Sequence, residues 1–249
     1  MQAADRRVRL VDRSDLVGAL RERLVVDPAT TAVLAVDVHR GHLDPAVATM
    51  PVDPLRAGRV VEALQRLFSL ARRVGIPIVY VTMNHRTLPH PGAESMSNPF
   101  WRAVEDARQS LTPGRRSTIK GHNLEGSSQT EFLPQIAPQP GDYRIDNKKR
   151  LSAFYGTDLE ILLRILRVET TIVVGINTNT CVLCTCFEAF NRDLRVVVVP
   201  ECVDSMYGED LHVLGLENVS RCLGWVVPLD ELESLLTRHA ATRVARGGA

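Results

Sequence analysis

Thr171-Ile-Val-Val-Gly-Ile-Asn-Thr-Asn-Thr-Cys181-Val-Leu-Cys-Thr-Cys-Phe-Glu-Ala-Phe-Asn191 changes its periodicity halfway along. Residues 171–174 are a continuous, β-branched apolar run, the pattern of a strand buried on both faces. Residues 183–191 have helical patterning, and a glycine and four polar residues lie between the two. Strand, tight turn and helix in succession predict an α/β architecture. Cys181 then falls at the first turn of the helix, where unpaired N–H groups and the helix dipole favour a thiolate. A thiol so placed is a candidate nucleophile. A small buried core cysteine is the other reading open at this point.

The same alternation recurs along the chain. Residues 31–36 (Thr-Ala-Val-Leu-Ala-Val) are a second continuous apolar run, ending at Asp37. Residues 55–74 carry helical spacing at Val60, Val61, Leu64, Leu67, Phe68 and Ala71, and stop at Gly75. Residues 76–82 read as strand, which completes a βαβ unit with parallel strands and a right-handed crossover. Further strands are predicted at 143–146, 194–199 and 224–227, and helices at 13–24, 157–166, 181–192, 210–222 and 229–240. Residues 84–140 are rich in Pro, Gly, Ser and His, with helical periodicity only over 98–110; long connections of this kind are often functional. The fold class expected is a single doubly wound α/β domain of three layers, a mostly parallel sheet of about six strands with helices on both faces. It spans residues 30–240, after an N-terminal extension (1–29) and before a loose tail (241–249).

Composition narrows the function classes. Over 249 residues the formal net charge is +1 and 45% of the residues are hydrophobic. Such a balance gives no strong field for nucleic acid or an anionic membrane, so neither is expected as a partner. No apolar run is long enough to span a bilayer, and the charged first thirty residues do not resemble a signal peptide; a cytoplasmic enzyme is expected. The cysteines are Cys181, Cys184, Cys186, Cys202 and Cys222. Their odd number and clustering make a poor disulfide framework. Cys181-x-x-Cys184-x-Cys186 lacks a second ligand pair for zinc, so Cys184 and Cys186 are expected to be small core residues.

Ligands of open α/β sheets sit outside the carboxyl ends of the strands. Asp37, Lys148 and Cys181 all fall at such ends. Each has an ordinary reading, as turn cap, surface lysine and core thiol; together they make a coherent nucleophilic site. An ammonium at Lys148 would lower the cysteine pKa, and Asp37 could take the thiol proton and return it to a leaving amine.

These residues carry a resemblance. Ala32-Val-Leu-Ala-Val-Asp37, Lys148-Lys-Arg-Leu-Ser-Ala-Phe154-Tyr-Gly-Thr157-Asp-Leu and Gly175-Ile-Asn-Thr-Asn-Thr-Cys181-Val resemble, in order and spacing, the isochorismatase-like cysteine hydrolases. That superfamily includes nicotinamidases, N-carbamoylsarcosine amidohydrolases, ureidoacrylate and biuret hydrolases, and isochorismatase. The resemblance implies that Cys181 attacks an amide or ureide carbonyl, that Asp37 acts as general base and then acid, and that Lys148 stabilises the thiolate and orients Asp37. It also implies a cis peptide at Ile176–Asn177, with the backbone N–H groups of Asn177 and Cys181 facing the oxyanion. Lys149 stands beside Lys148, and spacing to Ser152 favours Lys148. Val38-His39-Arg40-Gly41-His42 departs from the pattern usual after the aspartate, which bears on the substrate.

Within the family, isochorismatases cleave a vinyl ether without a cysteine nucleophile, so Cys181 favours C–N hydrolysis. Nicotinamidases usually bind a metal through an Asp-x-His pair after the second strand. Thr82-Met-Asn84-His85-Arg86-Thr-Leu-Pro-His90 lacks that aspartate, so no metal and no cofactor are expected, and His85 and His90 read as loop histidines. Candidate substrate-binding residues are His39, Asn84, His85, Trp101, His122, Asn123 and Phe154. Phe100-Trp101 could form an aromatic lid or a helix packed on the core. A small amide, carbamoyl or ureide compound is the expected substrate. A vinyl-ether hydrolase and a non-catalytic partner protein are the alternatives, and retention of Asp37, Lys148 and Cys181 argues against the second. Relatives are commonly oligomeric, so a homodimer or homotetramer is expected.

Overall fold

The computed structural model describes residues 10–86, 98–107, 114 and 117–246. Its six strands are β1 (Thr31–Val36), β2 (Ile78–Met83), β3 (Tyr143–Lys148), β4 (Thr170–Ile176), β5 (Arg195–Asp204) and β6 (Trp225–Val226). They form one sheet in the order β3-β2-β1-β4-β5-β6, and every pairing is parallel. The helices are α1 (Ser14–Arg21), α2 (Arg40–Leu43), α3 (Pro54–Val74), α4 (Pro99–Asp106), α5 (Leu159–Ile165), α6 (Leu183–Phe190), α7 (Glu209–Asn218) and α8 (Leu229–Arg246).

The central strands are apolar throughout because both of their faces are covered. Every residue of β1, β2 and β4 is buried, whereas the edge strand β3 exposes Tyr143, Arg144 and Asp146 and buries Ile145 and Lys148. From β1 the chain moves outward one way through α3 to β2; from β4 it moves the other way through α6 to β5. Right-handed crossovers therefore place α3 and α6 on opposite faces. The sequence of α3 defines both of its ends. Asp53 accepts from the N–H groups of Leu55 and Arg56 at 3.0 and 3.2 Å, Pro54 opens the first turn, and Gly75 closes it at φ 79°. Its inner face, including Val60, Leu64, Leu67, Phe68 and Ala71, is buried on the sheet.

The order of strands reverses between β1 and β4, so a crevice opens where their carboxyl ends diverge. Gly175 sits at this point. At φ 121°, a Cβ there would lie 1.9 Å from the Val36 carbonyl oxygen, so the close approach of the two strand ends requires glycine.

Several boundaries differ from the sequence expectation. β5 runs on to Asp204, through a register shift that absorbs Pro200. The expected helix at 181–192 begins only at Leu183, because Thr178–Val182 forms a wider π-type turn closed by Val182 N–H to Asn177 O at 3.1 Å. The final helix continues to Arg246, past the expected start of a loose tail at 241. The N-terminal α1 docks on the short edge strand: Arg21 donates to Val226 O at 2.8 Å and Trp225 Nε1 to Leu20 O at 2.7 Å. That contact covers backbone a sheet edge would otherwise expose. Among the described residues no helix is long and apolar enough to cross a membrane.

Candidate active site

Four strand ends converge on one point. Asp37 follows β1 directly, at φ 54°, a left-handed conformation that aspartate tolerates better than most residues. The N–H of Met83, at the end of β2, donates to Asp37 Oδ1 at 2.7 Å. Lys148, the last residue of β3, pairs in register with Met83 and sends its ammonium to Asp37 Oδ2 at 2.6 Å. The same nitrogen lies 3.5 Å from Cys181 Sγ, beyond β4. Asp37 and Lys148 are fully buried, and Cys181 is 3% exposed.

Burial sets the protonation states. By itself it would push the Asp37 carboxyl up, but the charge and hydrogen bond of Lys148 together with His39 and His42 outweigh it and hold Asp37 below its ordinary value. Burial likewise works against the Lys148 charge; the Asp37 carboxylate and Cys181 reverse this and hold Lys148 above the ordinary lysine value. For Cys181 burial prevails over the pull of Lys148 and pushes the thiol up to about 12. The resting trio is therefore carboxylate, ammonium and neutral thiol. Lys148 does attract the thiolate, as expected from sequence, yet the net direction at Cys181 is upward.

The cysteine turn is fixed from below. The Ile176–Asn177 peptide is cis. Asn177 Oδ1 accepts from Met206 N–H at 2.9 Å, Ser205 Oγ donates to Asn179 Oδ1 at 2.6 Å, and Thr178 Oγ1 meets His212 Nδ1 at 2.8 Å. Thr185 donates to the Cys181 carbonyl at 2.7 Å and accepts from Ala153 N–H at 3.1 Å, which ties the Ser152-Ala-Phe154 loop to the cysteine turn.

Cys181 and Asn177 open on a cavity of about 460 Å³, a size suited to a small organic molecule. Trp101, His85 and His122, all sequence candidates, line it. Trp101 also packs against the core, as the second of the two readings of Phe100-Trp101 had it, while Phe100 is exposed. His39, Asn84, Asn123 and Phe154 lie off the cavity wall. His39 is wholly buried, its Nε2 4.0 Å from Asp37 Oδ1, and Asn84 donates its N–H to Lys148 O at 3.0 Å. The Asn123 side chain fills the space over Gly41, where a Cβ would lie 1.9 Å from its Oδ1. Phe154 carries the Arg192 guanidinium 4.5 Å over its ring. His39 and Asn123 back the wall through His42 and His122. His90 lies outside the described residues.

Sequence reasoning missed His42, Met50, Lys149, Arg150, Tyr155 and Tyr207 on the cavity wall. Tyr207 carried no local signal, because it reaches the cavity only through the extension of β5 to Asp204. Lys149 carried one, as the second lysine of a pair whose first is buried. Cys184, expected in the core, lines the cavity instead, while Cys186 is fully buried.

Histidine rings pack beside the trio. His39 stacks on His42 at 5.2 Å between centroids, and His42 meets His122 edge-on at 5.0 Å. The His122 tautomer follows from its neighbours: Asn123 Nδ2 donates to Nε2 at 2.9 Å, so Nδ1–H donates to Thr49 Oγ1 at 3.0 Å. Burial, then His42, pushes His39 down to about 3, and burial pushes His85 down to about 4. Among the described residues no group of three or more His, Cys, Asp or Glu side chains is arranged to hold a metal ion.

The sequence profile of the Isochorismatase domain family matches residues 31–231. Ureidoacrylate amidohydrolase RutB of Methylobacterium radiotolerans is 30% identical over 219 residues, covering 86% of this chain and 83% of that protein. Among solved structures, a cysteine hydrolase from Pseudomonas syringae pv. phaseolicola superposes with a TM-score of 0.71 at 22% identity, over 87% of this chain and 97% of its own. N-carbamoylsarcosine amidase from Thermoplasma acidophilum gives 0.60 at 24% identity, over 81% and 98%. At such identities the structures speak to the fold alone, but the profile spans most of the sequence and includes all three residues that meet at the strand ends: the chain belongs to the isochorismatase family of hydrolases.

Proposed function

We propose that the protein is a cysteine-dependent amidohydrolase that cleaves a C–N bond, other than a peptide bond, in a small amide, carbamoyl or ureide compound. The observation that carries this reading is a buried ammonium held 2.6 Å from a carboxylate and 3.5 Å from a thiol that opens on a substrate-sized cavity. Ureidoacrylate amidohydrolases among the relatives support the reaction class.

The protonation states suggest the order of events. Cys181 begins as a thiol, and Asp37 is the base within reach. Asp37 takes the S–H proton as Sγ attacks the carbonyl carbon, and Lys148 offsets the charge on sulfur. The oxyanion collects at the backbone N–H groups of Asn177 and Cys181. Collapse breaks the C–N bond as Asp37 returns its proton to the leaving nitrogen, releasing ammonia or an amine and leaving a thioester on Cys181. Water then attacks the thioester, giving one proton to Asp37, which restores the thiol as the acid departs.

Ammonia release from primary amides, carbamoyl amino acids, ureides and nicotinamide tests the reading, with isochorismate as a control that holds no nitrogen. Ammonia from at least one class of nitrogen compound is expected. Turnover of isochorismate alone would overturn it in favour of vinyl-ether hydrolysis.

A further inference from the structure

His42 lies in α2, the short helix that follows Asp37. Its backbone is pinned on both sides: its N–H donates to His39 O at 3.2 Å, and its carbonyl accepts from Val52 N–H at 3.0 Å. The imidazole is equally constrained. It stacks on His39 with 28° between the ring planes, and His122 meets it edge-on. Its Nδ1 lies 3.1 Å from Met50 O. A carbonyl oxygen only accepts, so Nδ1 carries the proton. Burial holds His42 below the ordinary histidine value, so the ring is neutral and Nε2 is left as a bare lone pair.

The corresponding nitrogen of His122 is already occupied, since it accepts from Asn123 Nδ2 at 2.9 Å. Nε2 of His42 takes part in no hydrogen bond among the described residues, and His42 lies on the wall of the cavity on which Cys181 opens. The ring also stands close to Asp37. Its stacking partner His39 comes within 4.0 Å of Asp37 Oδ1, and Asp37 is the charge that His42 feels most strongly. An acceptor without a donor is unfavourable to cover with apolar surface and favourable to cover with an N–H.

In C–N hydrolysis the atom that must come to Asp37 is the leaving nitrogen. It takes the proton through its lone pair, so its own N–H has to point elsewhere. We infer that His42 Nε2 accepts a hydrogen bond from that N–H and thereby turns the nitrogen lone pair towards Asp37 as the tetrahedral intermediate collapses. This rests on the amidohydrolase reading of the site and deepens it. The C–N bond breaks, the proton on Asp37 passes to nitrogen, and His42 neither gains nor loses a proton. His42 is thus a substrate-orienting residue that favours an amide over an ester of the same acid, because the ester oxygen has no hydrogen to offer it.

The test compares a primary amide with the methyl ester of the same acid in wild type, His42→Phe and His42→Gln. Phenylalanine keeps a ring and removes the acceptor, whereas glutamine can place its carbonyl oxygen near the position of Nε2. In His42→Phe, kcat for the amide is expected to fall by roughly tenfold or more and kcat for the ester by less than about threefold, with much of the amide loss restored in His42→Gln. Circular dichroism spectra matching wild type show that each variant is folded. Equal losses on amide and ester, an amide rate that His42→Phe leaves unchanged, or an amide loss that His42→Gln shares in full would overturn the inference. Nitrogen-15 spectra of histidine-labelled protein give a second readout that needs no turnover. At neutral pH the His42 resonances, assigned by their loss in His42→Gln, should show Nδ1 protonated and Nε2 bare, and a proton on Nε2 would overturn the inference as well. The amidohydrolase reading fails by different signs, namely no ammonia from any nitrogen compound, or ammonia release that persists when Cys181 is replaced.

Discussion

At the residue scale, the Asp37–Lys148 pair is harder to lose by halves than as a whole. Both groups are fully buried, so removing one leaves an uncompensated charge in the interior. Lys148→Met is expected to destabilise the fold by about 3–5 kcal/mol and to reduce kcat/KM by roughly 10³-fold or more. The double variant Asp37→Asn/Lys148→Met should recover much of that stability and none of the activity. Urea denaturation and ammonia assays on the single and double variants check both statements; simple additivity of the stability losses would contradict the pairing. The neutral Cys181 thiol adds a further expectation. With its pKa pushed up to about 12, an alkylating agent without an amide should react with Cys181 slowly at pH 7.5, as with an ordinary buried thiol. Rapid modification at neutral pH, followed by peptide mass spectrometry, would argue instead for a preformed thiolate.

At the scale of elements, the site depends on how closely two strand ends approach. Gly175→Ala would drive a methyl group into the Val36 carbonyl in a left-handed conformation, at a cost of about 3 kcal/mol or more from overpacking and strain combined. A thermal midpoint close to wild type would contradict that placement. Arg56 holds Asp204 through two hydrogen bonds, next to Ser205 and Met206, which anchor Asn179 and Asn177. Arg56→Ala leaves a nearly buried carboxylate unpaired, and a loss of about 3 kcal/mol is expected, with kcat falling as the cysteine turn loosens. The elements were legible in the sequence wherever burial was complete. β1, β2 and β4 are buried on both faces, and their apolar runs end at or beside Asp37 and the cysteine turn. The π-type turn was not legible, because its wider hydrogen bonding leaves no mark on a Thr-Asn-Thr-Cys run that also suits an α-helical start. The extension of β5 past Pro200 was hidden in the same way, since proline ordinarily ends a central strand. Asp37, Lys148 and Cys181 were found because strand ends are predictable. Tyr207 and Met50 were not, because segments beyond the strand ends bring them to the cavity over long sequence separations.

At the scale of the whole molecule, the neutral histidines make the fold acid-sensitive. His39, His42, His85, His122 and His212 all have folded values below 6.5, with burial as the leading cause. A histidine depressed in the folded state binds its proton first in the unfolded chain. Stability is therefore complete above about pH 6.5 and falls as the pH drops toward the folded values, about 4 for His85 and about 3 for His39. Each histidine contributes on the order of 1.4 kcal/mol per pH unit within its window. Asp37, held below the ordinary carboxylate value in the fold, takes up its proton first in the unfolded chain and adds to this loss at the acid end, whereas Lys148, held above the ordinary lysine value, does not titrate there. Urea midpoints at pH 7.5 and 5.0 should differ clearly, with proton uptake on unfolding at the lower pH; equal midpoints would mean that the histidines are not buried neutral.

All of this chemistry converges on one sulfur atom. Wild type and Cys181→Ala, given the best nitrogen substrate from the panel, are compared for ammonia release, and acid-quenched wild type is digested for mass spectrometry. Release should fall by roughly 10³-fold or more in the variant, and an acyl group of substrate-derived mass should appear on the peptide that carries Cys181. Undiminished ammonia release by Cys181→Ala would remove Cys181 as the nucleophile and contradict the mechanism.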